Sequence, residues 1–147
     1  ELIYNYGRKL NVVMNVSKFN LVNNMKEHNG QKYGNYKERI PNEPYFSANG
    51  MIRYSVFSML QKKDVFNLFY NCGYVHSFYI NIIKQKETEV PDQIHHNNGI
   101  SYAFPKKKFV LSFDAKNIFD AQVYDNFGVQ KPGRAFYLKL NYTINQF

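Results

Sequence analysis

The side chains with the most evident capacity for chemistry in this 147-residue chain are four histidines, one cysteine and eleven acidic residues. The densest grouping is His95-His96 with Glu87, Glu89 and Asp92, residue types that ligate zinc and similar metals. Their spacing follows no metal-site pattern, and the group reads as solvated loop charge. His28 and His76 stand apart from any partner pattern. A single cysteine, Cys72, excludes an internal disulfide and any Cys-rich zinc site. No Ser-His-Asp, paired-carboxylate or Cys-His arrangement occurs at a recognisable spacing, and no Gly-rich phosphate loop is present. The expectation is a protein that is not an enzyme, with no catalytic residues, no metal and no cofactor.

The elements that would position these residues are strands. Phe136, Leu138, Leu140, Tyr142 and Ile144 alternate with Tyr137, Lys139, Asn141 and Thr143, a period of two that defines a strand with two unlike faces. Similar alternation places further strands, giving about six at approximately 9–21, 45–58, 64–80, 97–105, 108–119 and 134–145. Leu2–Tyr6 reads as the tail of a seventh. No segment carries the i, i+3, i+4, i+7 apolar spacing and capping signals of a helix. The fold class is therefore all-β, an antiparallel up-and-down meander. Aromatics reach 18%, with 13 Tyr and 13 Phe, which argues against disorder. No apolar run is long enough for a transmembrane helix.

The connections alternate short and long: Gly7–Lys9, Asn23–Pro44, Gln61–Asp64, Asn81–His95, Pro105–Lys108 and Asp120–Gly133. That alternation characterises a meander crossing an outer membrane, with short periplasmic turns and long outer loops. The short turns carry Arg8, Lys9, Lys62, Lys63, Lys106, Lys107 and Lys108 against Asp64 alone, +6 of the total +8. The basic balance thus belongs to one rim. A nucleic-acid groove would mix cations and stacking aromatics on one face; here they lie on opposite faces, and no nucleic-acid partner is expected. The apolar parity is rich in aromatics near strand ends (Phe46, Tyr54, Phe66, Tyr74, Tyr102, Phe104), as the interfacial girdles of a membrane barrel require.

Ser112-Phe-Asp-Ala-Lys-Asn-Ile-Phe-Asp120, Tyr124, Lys131-Pro-Gly-Arg134 and the alternating Phe136–Tyr142 together resemble the C-terminal end of a TonB-dependent outer-membrane receptor. Asn117, Phe119 and Asp120 match the first part of the family's closing motif. Pro132, Gly133 and Arg134 match the second. Ile40–Asn49 resembles the loop-to-strand entry two hairpins earlier, and the Asn-, Lys- and Tyr-heavy composition resembles receptors of Bacteroidota. In that family the final strand serves as an assembly signal, which would fall on Phe136, Leu138, Leu140, Tyr142 and Ile144. The family's terminal Phe continues the parity of the last strand. Here that parity ends at Ile144, and Phe147 lies on the other.

The resemblance implies a 22-strand type of transmembrane β-barrel, of which this chain supplies the C-terminal portion. It begins with Glu1, and no signal peptide or plug-like segment follows, so it is read as part of a longer chain. The implied function is TonB-dependent uptake of a scarce nutrient such as a ferric siderophore, cobalamin or glycan. The implied location is the outer membrane of a Gram-negative bacterium. Partners would be the plug domain and remaining barrel strands, TonB through the plug, outer-membrane lipid and lipopolysaccharide, and a surface lipoprotein. Arg53, Asp114, Lys116 and Lys139 have the parity of the lumen wall, and Asp114 and Lys139 lie on neighbouring strands within pairing reach. Pro132-Gly133 reads as a turn in which Gly takes a positive φ. The competing expectation is a small outer-membrane or soluble β-sandwich module for binding or adhesion.

Overall fold

The computed structural model describes residues 1–32, 34–82, 84–105 and 108–144. Eleven strands appear among them: β1 (Leu2–Tyr6), β2 (Leu10–Lys18), β3 (Glu27–His28), β4 (Gln31–Lys32), β5 (Phe46–Phe57), β6 (Val65–Val75), β7 (Phe78–Tyr79), β8 (Glu89–Val90), β9 (Gln93–Ala103), β10 (Phe109–Lys116) and β11 (Ala135–Tyr142). Seven of them form one antiparallel sheet in the order β1-β2-β5-β6-β9-β10-β11, each long strand beside its neighbour in sequence. The class is all-β. Leu2–Tyr6 is a full member of the sheet, pairing along its length with β2, so the meander has seven strands where about six were expected. The pairs β3–β4 and β7–β8 are small hairpins folded within the first two long loops. The sheet is open. β1 pairs only with β2 and β11 only with β10, leaving two edges.

Strand ends differ from the expected spans for local reasons. The strand expected at 64–80 stops at Val75, where the Asp92 carboxylate accepts from the Ser77 N–H at 2.7 Å and turns the chain into the β7–β8 hairpin. Phe78 and Val90 form a buried contact pair across that hairpin. The strand expected at 97–105 starts at Gln93 instead and ends at Ala103, which moves His95 and His96 from loop to strand. Strand β10 ends at Lys116 because Asn117 adopts φ 47°, and β5 ends at Phe57 because Ser58 adopts φ 55°. Ile144 lies past the end of β11. Lys106, Lys107 and Phe147 fall outside the described residues.

The registers settle which side chains share a face. Val12 faces Ile52, Ile52 faces Tyr70, Leu68 faces Ile100, Phe113 faces Ile100 and Leu138 faces Phe113. One face is therefore apolar from edge to edge. Several of its rings lie toward the two ends of the strands, with Tyr70 and Phe113 between them. A chain Tyr102–Phe104–Phe109–Tyr142, with centroids 4.8, 5.4 and 6.2 Å apart, runs near the short turns. Phe46–Tyr74 at 5.9 Å and His96–Phe119 at 4.9 Å lie near the long loops.

The opposite face is zipped by side-chain amides and hydroxyls. Asn11 donates to Asn5 at 2.8 Å, Asn15 to Asn49 at 3.2 Å, Ser55 to Asn67 at 2.7 Å, Asn67 to Ser101 at 3.2 Å and Asn97 to Asn71 at 3.1 Å. The abundant asparagine thus has a structural use, cross-strand bonding on one face.

Burial is inverted relative to a soluble sheet. Ser55, Gly73, Gln93, Gly99, Ala103 and Asp114, all on the polar face, are buried. On the apolar face of the same sheet only Ala115 is buried among the described residues, while Leu138 is 74% and Ile52 44% exposed. Among the described residues the large sheet packs through its own strands, and the two small hairpins contact chiefly themselves. A twisted sheet that curls crowds side chains on its concave side and splays them on its convex side. By that argument the burial pattern puts the polar face on the inner side of the sheet.

Candidate functional site

The motif residues gather where β10 leaves the sheet and β11 enters it. Asn117 is 7% exposed and works as a clasp. Its Nδ2 donates to the Ala121 carbonyl at 2.8 Å, and its Oδ1 accepts from the Ala121 N–H at 3.0 Å. Its own N–H donates to Asn97 Oδ1 on β9 at 2.9 Å. An asparagine suits this place because it tolerates the left-handed conformation and carries both donor and acceptor. Asp120, also left-handed at φ 55°, accepts from the Arg134 N–H at 2.8 Å and so fixes the start of the last strand.

Gly133 does not take the positive φ expected of it; among the described glycines only Gly7, Gly30 and Gly128 do. Its smallness matters instead, since a Cβ there would come within 2.5 Å of Asp120 Oδ1. Phe119 leaves toward the apolar side, edge-on to His96, and is 70% exposed. Asn117, Asp120, Gly133 and Arg134 therefore close the base of the 117–134 loop. This clasp is the structural content of the spacing that gave the family resemblance.

Beside the clasp, on the polar face, lies a cleft of about 260 Å³ whose walls include His95, Asn97, Lys116, Asn117, Lys131 and Tyr137. Strands set most of them: His95 and Asn97 project from β9, Lys116 from β10 and Tyr137 from β11, all of one parity. Lys131 comes from the loop, where its N–H bonds the Val123 carbonyl at 2.7 Å. The His95 ring lies against Gly73, the residue directly opposite on β6, so closely that a Cβ on Gly73 would overlap it.

The lumen-parity residues separate into pairs and singles. Asp114, 6% exposed, is bridged by the Lys139 ammonium, as their neighbouring strands suggested. Lys116 lines the cleft. Arg53 lies on the same face but far along β5 toward the short turns, opposite Asn11 and Phe69. His95 and His96 point to opposite faces, His96 engaging the Tyr70 hydroxyl at 2.6 Å, so the His-His pair cannot share one metal with the loop carboxylates. Among the described residues no group of three His, Cys, Asp or Glu could hold an ion.

Sequence placed His95 among the solvated loop charges, Lys131 at the head of the closing motif and Tyr137 in the alternation of the last strand, and assigned none of them to this cleft. The signal for His95 was present: extending the β9 alternation back to Gln93 gives it the parity of Asn97 and Gly99. For Lys131 there was none, because a loop residue has no parity.

A second site missed by sequence is Asp64, which was counted only as the acid among the Lys-rich turns. It is fully buried. The N–H groups of Met59, Leu60 and Gln61 donate to its carboxylate at 2.8, 2.9 and 2.8 Å, and the Tyr102 hydroxyl donates at 2.8 Å. It organises the 58–64 turn and ties it to β9.

Comparison of the chain with protein-family models, with curated proteins and with solved structures finds no match.

Proposed function

We propose that this chain is the C-terminal wall of a TonB-dependent outer-membrane receptor. Its apolar face lies against lipid and lipopolysaccharide, and its polar face lines the lumen around a plug domain. On this reading the long loops are extracellular, the short turns periplasmic, and the cargo is a scarce nutrient such as a ferric siderophore, cobalamin or glycan. TonB acts through the plug, and a surface lipoprotein is a candidate cap.

The observation that carries the proposal is the inverted sheet: apolar side chains on the convex, exposed face, with aromatic rings toward both ends, and hydrogen-bonded polar side chains on the concave face. A membrane barrel needs that arrangement, whereas a soluble sandwich hides its apolar face under a second layer. The central strands β5, β6 and β9 have 12, 11 and 11 residues, and about 9–11 tilted residues cross a bilayer. The open edges at β1 and β11 agree with a part of a larger barrel, because unpaired backbone groups are not tolerated in lipid.

Two measurements test the proposal. First, the chain should require detergent or refolding into detergent to stay monodisperse. Folded, monodisperse protein in plain buffer would discard the wall and leave a soluble sandwich formed by pairing of apolar faces.

Second, topology can be read by labelling intact cells with an impermeant thiol reagent in a Cys72→Ala background. Glu87→Cys, on the 3-10 turn of the second long loop, should react. Lys62→Cys, on a short turn, should not. Equal or reversed labelling would invert or discard the orientation.

A further inference from the structure

The cleft beside the Asn117 clasp gathers two lysines that form no ion pair among the described residues. Lys116, Lys131 and His95 line the walls of the same cleft. Two carboxylates stand on adjoining residues, Asp114 on β10 and Asp120 beside Gly133 of the cleft wall. Asp114 is held by Lys139, and Asp120 Oδ1 accepts from the Arg134 backbone and is packed against Gly133. Among the described residues the ion pairs are His76–Asp92, Lys84–Glu38 and Lys139–Asp114, none of which includes Lys116 or Lys131.

Like charges gathered in a concave site raise the electrostatic free energy of the empty protein and concentrate anions there. The surrounding wall is stiff. Asn97 spends its amide on Asn71 and its carbonyl oxygen on the Asn117 N–H, the His95 ring is seated against Gly73, and the loop bearing Lys131 is closed by the clasp. Two lysines, an imidazole and a tyrosine around a cleft of about 260 Å³ match a compact oxyanion.

We propose that this cleft binds an anionic oxygen group, a carboxylate cluster or a phosphate, carried by the solute that enters the lumen. Lys116 and Lys131 supply the charge, and His95 and Tyr137 supply further donors. The inference rests on the reading of the polar face as a lumen, because that face is turned away from lipid and meets only dissolved ligands. Among nutrients it favours an anionic cargo over a neutral glycan.

The test is calorimetric titration of the full chain, in the detergent that keeps it folded, with citrate and separately with inorganic phosphate. At least one of the two should bind, more weakly as salt rises. Lys116→Gln and Lys131→Gln should each weaken that binding about tenfold, the scale of one lost charge-assisted hydrogen bond. Lys62→Gln, at the other end of the sheet, should leave it unchanged and so excludes a general effect of net charge. Unaltered strand content by circular dichroism shows that the variants fold. Failure of both probes to bind, or equal weakening by all three substitutions, would overturn the proposal. The two readings fail separately. A detergent-dependent chain that ignores both probes sinks the anion site alone. A chain soluble in buffer whose binding still depends on Lys116 and Lys131 sinks the membrane wall alone.

Discussion

Gly99→Ala is expected to destabilise the sheet by about 1–3 kcal/mol, the range for forcing extra atoms into a packed site. Gly99 is buried on β9 directly opposite Phe69 of β6, whose ring covers it. A Cβ on Gly99 would overlap that ring and stand 2.7 Å from Asp114 Oδ1. Asp114 is held by Lys139, and the half-buried Phe69 ring must shift on the polar face to admit the methyl group. An aromatic ring over a cross-strand glycine covers the bare backbone that glycine would otherwise expose. The thermal midpoint in detergent should fall for Gly99→Ala and recover in part in the double variant Phe69→Ala/Gly99→Ala, whose shared contact makes the two changes non-additive. Gly50→Ala is the control. A Cβ there meets only the Val13 carbonyl at 3.9 Å, so the midpoint should hold or rise. Equal losses at Gly50 and Gly99 would mean that glycine is not needed under the Phe69 ring.

Asp64→Asn should lower the thermal midpoint by roughly 5–10 °C, since a chain of this size loses a few degrees per kcal/mol and several bonds change together. The fully buried carboxylate receives four donors. An amide keeps one acceptor oxygen and turns an NH2 group toward N–H donors, leaving buried donors without partners.

The same geometry sets a pH dependence. Burial alone would raise the Asp64 pKa. The Tyr102 hydroxyl and the N–H groups of Gln61, Leu60 and Met59 outweigh it and bring the value down from 3.8 to about 2. A carboxylate with a depressed folded pKa contributes stability that is complete above its unfolded value, about 3.9, and is lost as pH falls toward the folded one. Unfolding midpoints of the parent should therefore drop between about pH 4 and pH 2, and the Asn variant should lack that component. Matching acid profiles for the two proteins would remove Asp64 from the account.

Much of the sheet was determined by sequence alone, because a strand's faces follow from a period of two. Phe109, Leu111 and Phe113 could be assigned to one side before any pairing was known, and Asp114 and Lys139 could be placed within reach of each other. The long-loop/short-turn alternation was equally legible, since turn residues and alternation mark where strands stop. The closing motif was legible only as a spacing.

Tertiary structure decided three things that spacing does not encode. The direction of curl came first. Alternation separates two faces without saying which is crowded, and the burial of Ser55, Gln93 and Asp114 against the exposure of Ile52, Ile100 and Leu138 decides that. Next came the ends of strands. His95 joins β9 because eleven residue pairs hold β6 and β9 in register from Val65–Ala103 to Val75–Gln93, a long-range bond pattern invisible to local alternation. Last came the meaning of single residues. Gly133 is small for Asp120, Gly99 for Phe69, and Asp64 is an acceptor for a turn and a tyrosine 38 positions away. Each depends on which side chain the fold brings opposite. The chain's own periodicity fixes faces, while contacts between distant strands fix what each face must hold.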